Sequence, residues 1–312
     1  MARIAVLDDY QRVASRFADW SQLDGHELTF FHEPLAGPAR VLEPFDVVCA
    51  MRERTAFPAE LLERLPNLRL LVTTGMRNAA IDLESAARQG VTVCGTEGSW
   101  QATTELAFAL ILALARRIPL EDAGMRAGGW QSTVGVGLDG KTLGIVGLGR
   151  LGSAAARIGA AFGMRVVAWS ENLTAERAAE HGGELVTKDE LFATADFVTI
   201  HLVLSGRTRG LVGQHELALM KPTAFLVNTS RGPIVDEDAL LAALRDGTLA
   251  GAGLDVYDQE PLPADHPLRG APNTVLTPHL GYVTEETYRV FYEQTVEDVA
   301  AWLAGEPVRV LA

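Results

Sequence analysis

The stretch that decides the fold runs from Gly144 to Thr174 and reads GIVGLGRLGSAAARIGAAFGMRVVAWSENLT. It begins with an apolar run typical of a buried strand, passes through closely spaced glycines into an alanine-rich segment, and ends in a second apolar run. A strand, a glycine turn, a helix and a second strand in this order predict a βαβ unit. The second strand is expected to end at Ser170.

The turn in this unit contains Gly147, Gly149 and Gly152, which form the pattern G-x-G-x-x-G. In such turns the first glycine permits the tight bend, the second lets a pyrophosphate approach the backbone, and the third lets the helix pack on the strand. The start of the following helix favours an anion. Because the pattern follows an apolar strand and opens a helix, it predicts a dinucleotide site.

The end of the second strand bears on which dinucleotide is bound. An acid at this place usually binds the ribose of NAD, whereas this chain has Ser170. Ser170 and Asn172 could donate hydrogen bonds to the 2′-phosphate of NADP, and Arg177 could help if the loop folds back. Glu171 would repel that phosphate if it points inward. The sequence therefore favours relaxed or NADP-tolerant use and leaves the choice between NAD and NADP open.

The composition excludes several classes of function. The chain has 312 residues, 48% hydrophobic and 21% charged, which is typical of one large or two ordinary globular domains. Its net charge of −13 argues against a nucleic-acid partner. Cys49 and Cys94 are too few for a disulfide framework and favour a reducing compartment. With a charged N-terminus that is unlike a signal peptide, a cytoplasmic location is expected.

Apolar strands alternate with helical patterns along the whole chain. In the first hundred residues the candidate strands are RIAVLDD, FDVVCAM, LRLLVTTG and VTVCG. A buried helix is predicted near 103–117, because its apolar run is too short to cross a membrane. Six further candidate strands follow: KTLGIVGLG, MRVVAWS, FVTIHL, AFLVNTS, GAGLDV and NTVLTPH. This predicts an α/β fold with two doubly wound parallel-sheet domains, a cleft between them, and a last helix closed by Gly305.

Ligands of open α/β sheets bind beyond the carboxyl ends of the strands. The second series of strands ends at Ser170, His201, Arg231, Asp255 and His279. Glu260 follows a few residues after one of these ends. An arginine, a glutamate and a histidine near the strand ends of one sheet are a candidate reaction set.

Four segments carry a resemblance to the D-isomer-specific 2-hydroxyacid dehydrogenase family: GKTLGIVGLGRLG, LVNTSRGPIVDEDAL, GLDVYDQEPLP and LTPHLG. They fall in the family's order and spacing across nearly the whole chain. The resemblance implies reversible hydride transfer between NAD or NADP and a 2-oxo acid. It also implies a central Rossmann domain, residues 101–283, inserted in a flavodoxin-like substrate-binding domain of residues 1–100 plus 284–312.

The resemblance assigns three catalytic residues. The family's arginine maps to Arg231, its glutamate to Glu260 and its histidine to His279. His279 is the implied proton donor, because an imidazole titrates near pH ~6.5 and can act in either direction. Glu260 is expected to orient the imidazole and favour its charged form. Arg231 is expected to bind the substrate carboxylate and polarise the carbonyl. Each residue alone could be a turn or surface residue, but the joint match favours catalysis.

The resemblance also implies contacts to the nucleotide. Besides the three glycines, they involve Arg150, Leu151, Ser170, His201, Thr229, Ser230 and Asp255. Arg150 and Leu151 would offer backbone N–H groups to the pyrophosphate, and Asp255 matches the residue that meets the nicotinamide carboxamide. Thr104, at the start of the buried helix, is a further candidate for the nicotinamide end. Its simpler interpretation is an N-terminal cap.

The substrate is expected to meet the segment TTGMRNAAID. It aligns with the family loop whose backbone N–H groups hold the substrate carboxylate, so that Gly75, Met76 and Arg77 are the implied contacts. The family usually has a small residue and a glycine at the last two positions. The departure at Met76 and Arg77 points to a bulkier or more anionic substrate end.

A second substrate candidate is AMRERTAF, which places Arg52 and Arg54 at another strand end. In phosphoglycerate dehydrogenases, arginines of a similar R-x-R-T segment meet phosphate. The equal alternative is a pair of interdomain salt bridges, for which Glu53 and Glu97 are available. The preferred acid stays open, with glyoxylate or hydroxypyruvate at least as well supported as a phosphorylated substrate.

A different class of function is compatible with the same motifs. Dehydrogenase-related corepressors keep the same three residues, so a non-catalytic NAD(H)-sensing binding protein is the alternative hypothesis. No metal ligand set and no membrane partner are expected. The family resemblance implies a homodimer formed through the Rossmann domains, with the long apolar helix and RAGGWQSTVG as candidate contacts.

Overall fold

The computed structural model describes the chain from Met1 to Ala312 and divides into two compact units. Unit 1 comprises Met1–Ser99 and Val283–Ala312, and unit 2 comprises Trp100–Tyr282. Each unit contains one sheet, and every strand pair within the two sheets is parallel. The predicted fold class, α/β with two parallel sheets, is confirmed.

The strands are β1 Arg3–Val6, β2 Glu27–Phe30, β3 Val47–Ala50, β4 Leu70–Thr73, β5 Thr92–Gly95, β6 Thr142–Val146, β7 Arg165–Trp169, β8 Glu184–Leu185, β9 Phe197–Ile200, β10 Phe225–Asn228, β11 Gly251–Leu254 and β12 Thr274–Leu276. The α-helices are α1 Ala14–Phe17, α2 Pro38–Leu42, α3 Ala59–Leu62, α4 Leu83–Arg88, α5 Gln101–Ala115, α6 Ile118–Arg126, α7 Arg150–Ala161, α8 Ala175–Glu180, α9 Lys188–Thr194, α10 Gln214–Leu219, α11 Glu237–Arg245 and α12 Glu285–Leu303. Short 3-10 helices lie at Trp20–Leu23, Gly232–Ile234 and Pro267–Gly270.

The sheet of unit 1 has the order β2-β1-β3-β4-β5, which is the flavodoxin-like order. All four strands predicted for this region are present. The sequence did not reveal β2, because this edge strand is only partly buried and ELTF forms no continuous apolar run. After α12 the chain returns to β5, where Leu311 donates a backbone hydrogen bond to Val93.

The sheet of unit 2 has the order β8-β7-β6-β9-β10-β11-β12. From β6 the chain adds β7 and β8 on one side of the sheet, and from β9 onward it adds strands on the other side. The boundary between β6 and β9 is therefore the switch point at which ligands of doubly wound sheets bind. The six strands predicted from the sequence are confirmed. The seventh, β8, consists of two exposed residues, too few to show a hydrophobic period.

The core of unit 2 lies on both faces of this sheet. Phe197 and Val198 are neighbours on β9, yet they belong to different hydrophobic clusters, because successive strand side chains point to opposite faces. One cluster includes Phe108 and Ile111 of α5. The predicted buried helix is thus confirmed. No helix in the chain is both long and apolar enough to span a membrane.

The last helix, α12, belongs to unit 1. It begins after Thr284, whose side chain accepts a hydrogen bond from the Thr287 N–H. Glu285 in the first turn suits the positive end of the helix dipole. Gly305 closes the helix as predicted: it has φ +84° and donates its N–H to the Trp302 carbonyl.

Candidate active site

The glycine turn between β6 and α7 is shaped by close contacts on two sides. Gly147 has φ +100°, and a Cβ there would lie 2.6 Å from the carbonyl oxygen of His201. A Cβ on Gly152 would collide with the carbonyl oxygen of Gly147. A Cβ on Gly149 would instead project into open space. The first and third glycines therefore serve packing, and the second leaves the backbone open to a ligand.

The start of α7 is a site suited to an anion. Gly149 is the N-cap residue and no side chain caps the helix, so the first N–H groups, at Arg150 and Leu151, lack a capping side chain. Arg150 is exposed and Leu151 is half-buried. The arrangement fits the pyrophosphate of a dinucleotide, as the sequence predicts.

Several polar atoms of unit 2, two at strand ends and one in α5, are buried without a hydrogen-bond partner. They are His201 Nδ1, Thr229 Oγ1 and Thr104 Oγ1. Unsatisfied buried polar atoms are costly, and a bound polar ligand can satisfy them. Burial lowers the pKa of His201 to about 4, so this imidazole is neutral near pH 7. Ser230 differs, because its hydroxyl donates to the Ile200 carbonyl at 2.7 Å.

The interpretation of Thr104 as an N-terminal cap is wrong. Helix α5 begins at Gln101, after Trp100 as its N-cap residue, so Thr104 lies inside the helix. Helix starts are shifted easily by a few residues when they are predicted from sequence. The buried, unpartnered hydroxyl of Thr104 leaves its other predicted role, at the nicotinamide end, as a prediction.

Ser170 lies directly after β7 and is half-buried. The chain then turns, with the Leu173 N–H donating to the Ser170 carbonyl. Glu171 and Arg177 are both exposed. No acidic side chain therefore occupies the strand end itself.

Arg231 follows β10 in a turn that its neighbours hold in place. The side chain of Asn228 donates to the Arg231 carbonyl at 2.9 Å and accepts from the Ser230 N–H at 3.0 Å. The Arg231 guanidinium donates to the Ser230 carbonyl at 2.7 Å. Gly232 lies so close to the backbone of Tyr257 that no side chain would fit. This contact brings the arginine turn beside the segment that carries Glu260.

Glu260 and His279 form a direct pair. His279 Nδ1 and Glu260 Oε2 are 2.6 Å apart, and the other carboxylate oxygen accepts from the Tyr257 N–H at 2.9 Å. Burial raises the pKa of Glu260, but the hydrogen bond and charge of His279, the Tyr257 N–H and the charge of Arg231 outweigh it. The net pKa of Glu260 lies below its ordinary value. A carboxylate that stays ionised can hold the imidazole ring in place through the Nδ1 contact.

Asp255 organises the loop that carries His279. Its buried carboxylate accepts from the Thr277 hydroxyl at 2.6 Å, the Leu280 N–H at 2.7 Å and the Gly281 N–H at 2.9 Å. The His279 N–H donates to the Asp255 carbonyl, and His279 adopts φ +54°. Burial raises the pKa of Asp255 although these hydrogen bonds oppose the rise. Contact between Asp255 and a nicotinamide carboxamide stays a prediction.

Three supporting residues were not singled out in the sequence, although they lie inside the quoted motifs. Asn228, Tyr257 and Thr277 each hydrogen-bond a turn that carries one of the predicted catalytic residues or Asp255. The signal that could have found Asn228 is its place at a strand end before a turn, where asparagine favours local backbone hydrogen bonds.

The arginines of the RERT segment lie in unit 1 and are engaged within it. Arg52 donates to the Thr74 carbonyl at 3.2 Å and contacts Glu53 at 3.4 Å. Glu97 forms no ion pair, so the salt bridges considered for it are absent from the structure. The Arg52–Glu53 contact joins neighbours in one unit and is no interdomain bridge.

Arg54 lies in a polar cluster at the carboxyl end of β1. Its guanidinium donates to the Asp8 carbonyl at 2.7 Å and to the Tyr288 hydroxyl at 3.4 Å. It also lies 4.5 Å from the centroid of the Tyr10 ring, a cation–π distance. These contacts tie the arginine to the fold of unit 1.

The loop after β4 contains the predicted substrate contacts. Gly75 has φ +91°, and a Cβ there would collide with the Arg52 guanidinium. The Gly75 N–H donates to the Thr96 hydroxyl at 2.9 Å, and its contact with a substrate stays a prediction. Met76 and Arg77 are exposed, and their N–H groups donate no hydrogen bond within the protein.

Comparisons with known proteins agree with this geometry. Residues 108–281 match the family model for the NAD binding domain of D-isomer specific 2-hydroxyacid dehydrogenases. The chain is 38% identical over 296 residues to a glyoxylate reductase from Thermococcus litoralis, covering 90% of this chain and 88% of that protein. It is 37% identical to a D-3-phosphoglycerate dehydrogenase from Synechocystis, where the match covers 86% of this chain and 49% of the relative.

Solved structures show the same fold. A phosphoglycerate oxidoreductase from Vibrio cholerae superposes with a TM-score of 0.93 at 38% identity, covering 98% of this chain and all of that one. The D-lactate dehydrogenase of Escherichia coli gives a TM-score of 0.85 at 26% identity, covering 99% of this chain and 100% of that one. With the ordered strand-end motifs, these similarities establish that the chain belongs to the D-isomer specific 2-hydroxyacid dehydrogenase family.

Proposed function

We propose that the protein reduces a small 2-oxo acid to the D-2-hydroxy acid with NADH or NADPH, and catalyses the reverse oxidation. The observation that carries this proposal is the His279–Glu260 pair at 2.6 Å, with Arg231 close enough to lower the pKa of Glu260. In reduction, the imidazole gives its proton to the carbonyl oxygen, and in oxidation it takes a proton from the hydroxyl. Glu260 orients the ring and stabilises its charge.

Arg231 binds the carboxylate of the substrate in this proposal. A guanidinium presents a planar fork of N–H donors that matches a carboxylate. The Asn228 side chain donates to the Arg231 carbonyl and accepts from the Ser230 N–H, and these two hydrogen bonds hold the turn that carries Arg231. The positive charge beside the carbonyl also stabilises the negative charge that develops on oxygen.

The residues of unit 2 fit a nicotinamide dinucleotide. The open backbone at Gly149 and the uncapped start of α7 would hold the pyrophosphate. The unpartnered atoms of His201, Thr229 and Thr104 offer hydrogen bonds to the rest of the nucleotide. The nicotinamide, when bound, supplies the hydride that the substrate carbon accepts. Asp255 would hold the loop of His279 while this happens.

The nucleotide preference proposed for the protein is relaxed or NADP-tolerant. Its support is the absence of an acid at the end of β7, where Ser170 neither repels a 2′-phosphate nor grips the ribose hydroxyls strongly. Unit 1 would provide the substrate-binding domain, with Met76 and Arg77 offering backbone N–H groups. The buried free thiols of Cys49 and Cys94 favour a reducing compartment, the cytoplasm.

A homodimer is proposed from an exposed apolar surface of unit 2. It comprises side chains of α6 and of the following segment: Ile118, Leu120, Met125, Trp130 and Val134. Trp130 is 76% exposed and Val134 is 95% exposed, which is unusual for large apolar residues unless a partner covers them. A Trp130→Ser, Val134→Ser double variant should elute as a monomer in light-scattering chromatography, whereas an unchanged dimer would exclude this surface.

The experiment that tests the proposed function is a panel of 2-oxo acids assayed with NADH and with NADPH. Glyoxylate, pyruvate, hydroxypyruvate and 3-phosphohydroxypyruvate cover small, apolar, polar and phosphorylated substrates. Oxidation of either nucleotide with at least one of these acids supports the proposal. Nucleotide binding without turnover on any of them would favour the NAD(H)-sensing alternative.

A further inference from the structure

Three arginines lie at the carboxyl ends of the neighbouring strands β3 and β4, and they differ in their bonding. Arg52 and Arg54 donate hydrogen bonds to main-chain oxygens of unit 1. Arg77 is exposed and forms neither a hydrogen bond nor an ion pair. Of the three cationic side chains, Arg77 is the one that no contact of the fold engages.

The loop that carries Arg77 is fixed on both sides of it. On one side the Gly75 N–H is bonded to Thr96. On the other side the Asn78 side chain donates to the Arg52 carbonyl at 2.8 Å. Between these anchors the N–H groups of Met76 and Arg77 have no partner within the protein. The anchored loop therefore presents backbone donors and a guanidinium at one place.

We propose that Arg77 makes this protein select 2-oxo acids that carry a second anionic group, a carboxylate or a phosphate. The inference rests on the proposed function. The backbone N–H groups suit the carboxylate that every 2-oxo acid has, as the family resemblance implies. The guanidinium of Arg77 supplies an additional bidentate donor for the second anion.

The charge of the whole molecule makes a local cation necessary for such a substrate. A chain with a net charge of −13 repels a dianion more than a monoanion. A dianionic substrate therefore needs a local cation that is free to pair with it. The Arg54 guanidinium is held by Asp8, Tyr10 and Tyr288, so it would have to break existing contacts to do so.

The test compares kcat/KM for glyoxylate and pyruvate with kcat/KM for oxaloacetate and 3-phosphohydroxypyruvate. In Arg77→Gln, we expect kcat/KM for the preferred dianion to fall by about tenfold to a hundredfold, the effect of one lost charge-assisted contact. The loss should appear in KM, and kcat/KM for glyoxylate should fall less because the backbone donors remain. Arg77→Lys should restore part of the loss.

Arg64→Gln is the matched control, because it removes the same charge from an exposed site of unit 1. It should keep the wild-type ratio of dianion to glyoxylate efficiency. The dianion that loses most identifies whether the second group is a carboxylate or a phosphate. If glyoxylate is reduced but Arg77→Gln leaves the ratio unchanged, the role of Arg77 is wrong while the proposed function stands. If the wild type reduces none of these acids, the proposed function itself fails.

Discussion

The candidate residues at the strand ends of the two units differ in how firmly the fold holds them. At the ends of β10, β11 and β12 in unit 2, Arg231, Glu260 and His279 belong to turns fixed by hydrogen bonds. At the end of β4 in unit 1, Arg77 is exposed and without a partner. Groups that move a proton need a fixed orientation before the substrate arrives. A group that selects among substrates can remain solvated until the substrate replaces water.

The largest effect is expected from replacing the residues in the hydrogen-bonded turns of unit 2. His279→Ala should lower kcat/KM for every 2-oxo acid by about a hundredfold to ten-thousandfold, because the proposed proton donor is lost. Arg231→Ala should also affect all substrates, since each carries a carboxylate. Initial rates of nucleotide oxidation measure this, with circular dichroism to verify the fold. Normal rates in either variant would remove that residue from catalysis.

A smaller effect is expected from Glu260→Gln. The amide removes the carboxylate whose pKa lies below its ordinary value, so the acidic side of the pH–rate profile should move. A pH–rate profile of kcat/KM measures the shift.

The chain offers a matched control in Glu237, which pairs with His266 at 3.0 Å elsewhere in unit 2. Glu237→Gln should leave the profile of reduction in place. A profile that does not move in Glu260→Gln would contradict the role of that carboxylate.

A substitution at Ser170 tests the preference between NADH and NADPH. The wild type should use NADPH and NADH with efficiencies within about tenfold of each other, and Ser170→Asp should disfavour NADPH by roughly tenfold or more through charge repulsion. Thr223→Asp adds the same charge at an exposed turn before β10 and should leave the ratio unchanged. A wild type that strongly prefers NADH would show that the proposed tolerance is wrong.

A separate effect concerns stability, because burial shifts the pKa of one group in each unit and the two shifts have opposite directions. Burial lowers the pKa of His201 in unit 2 to about 4. As pH falls from about 6.5 to 4, the His201 imidazole becomes protonated in the unfolded chain but stays neutral in the folded chain. Up to about 3 kcal/mol of the free energy of unfolding is therefore lost.

In unit 1, burial raises the pKa of Asp298 to about 7 although Arg309 opposes the rise. The folded unit keeps this proton between pH ~4 and 7 while the unfolded chain loses it, so the contribution of Asp298 to stability falls as pH rises. Denaturant unfolding of His201→Gln and Asp298→Asn at pH 5 and 7.5 tests both signs. Each variant should change the pH slope in the opposite direction, and parallel slopes in both would contradict this account.

The sequence predicted the features that depend on local pattern. Buried parallel strands are continuous apolar runs, and the catalytic candidates stand directly beyond them in motifs with a recognisable order. The predicted closure of α12 at Gly305 rests on the same kind of local signal. These features hold because they depend on residues close together in the chain.

The bonding of the arginines could not be predicted in this way. Arg54 meets Tyr288, which lies 234 positions later in the chain, and only the folded structure brings the two together. The short strand β8 and the true start of α5 were missed because two residues show no period and helix starts lack a sharp signal. Only the structure therefore shows that Arg54 is held by hydrogen bonds while Arg77 is exposed.

The most direct test of the central claim is a single-turnover measurement of hydride transfer with glyoxylate, in the wild type and in His279→Ala. Nucleotide affinity is measured in parallel by fluorescence. We expect both proteins to bind nucleotide equally well, while the rate of transfer falls in the variant by about a hundredfold or more. A wild type that binds nucleotide but transfers no hydride to any acid of the panel, or a variant that turns over at the wild-type rate, would contradict the claim.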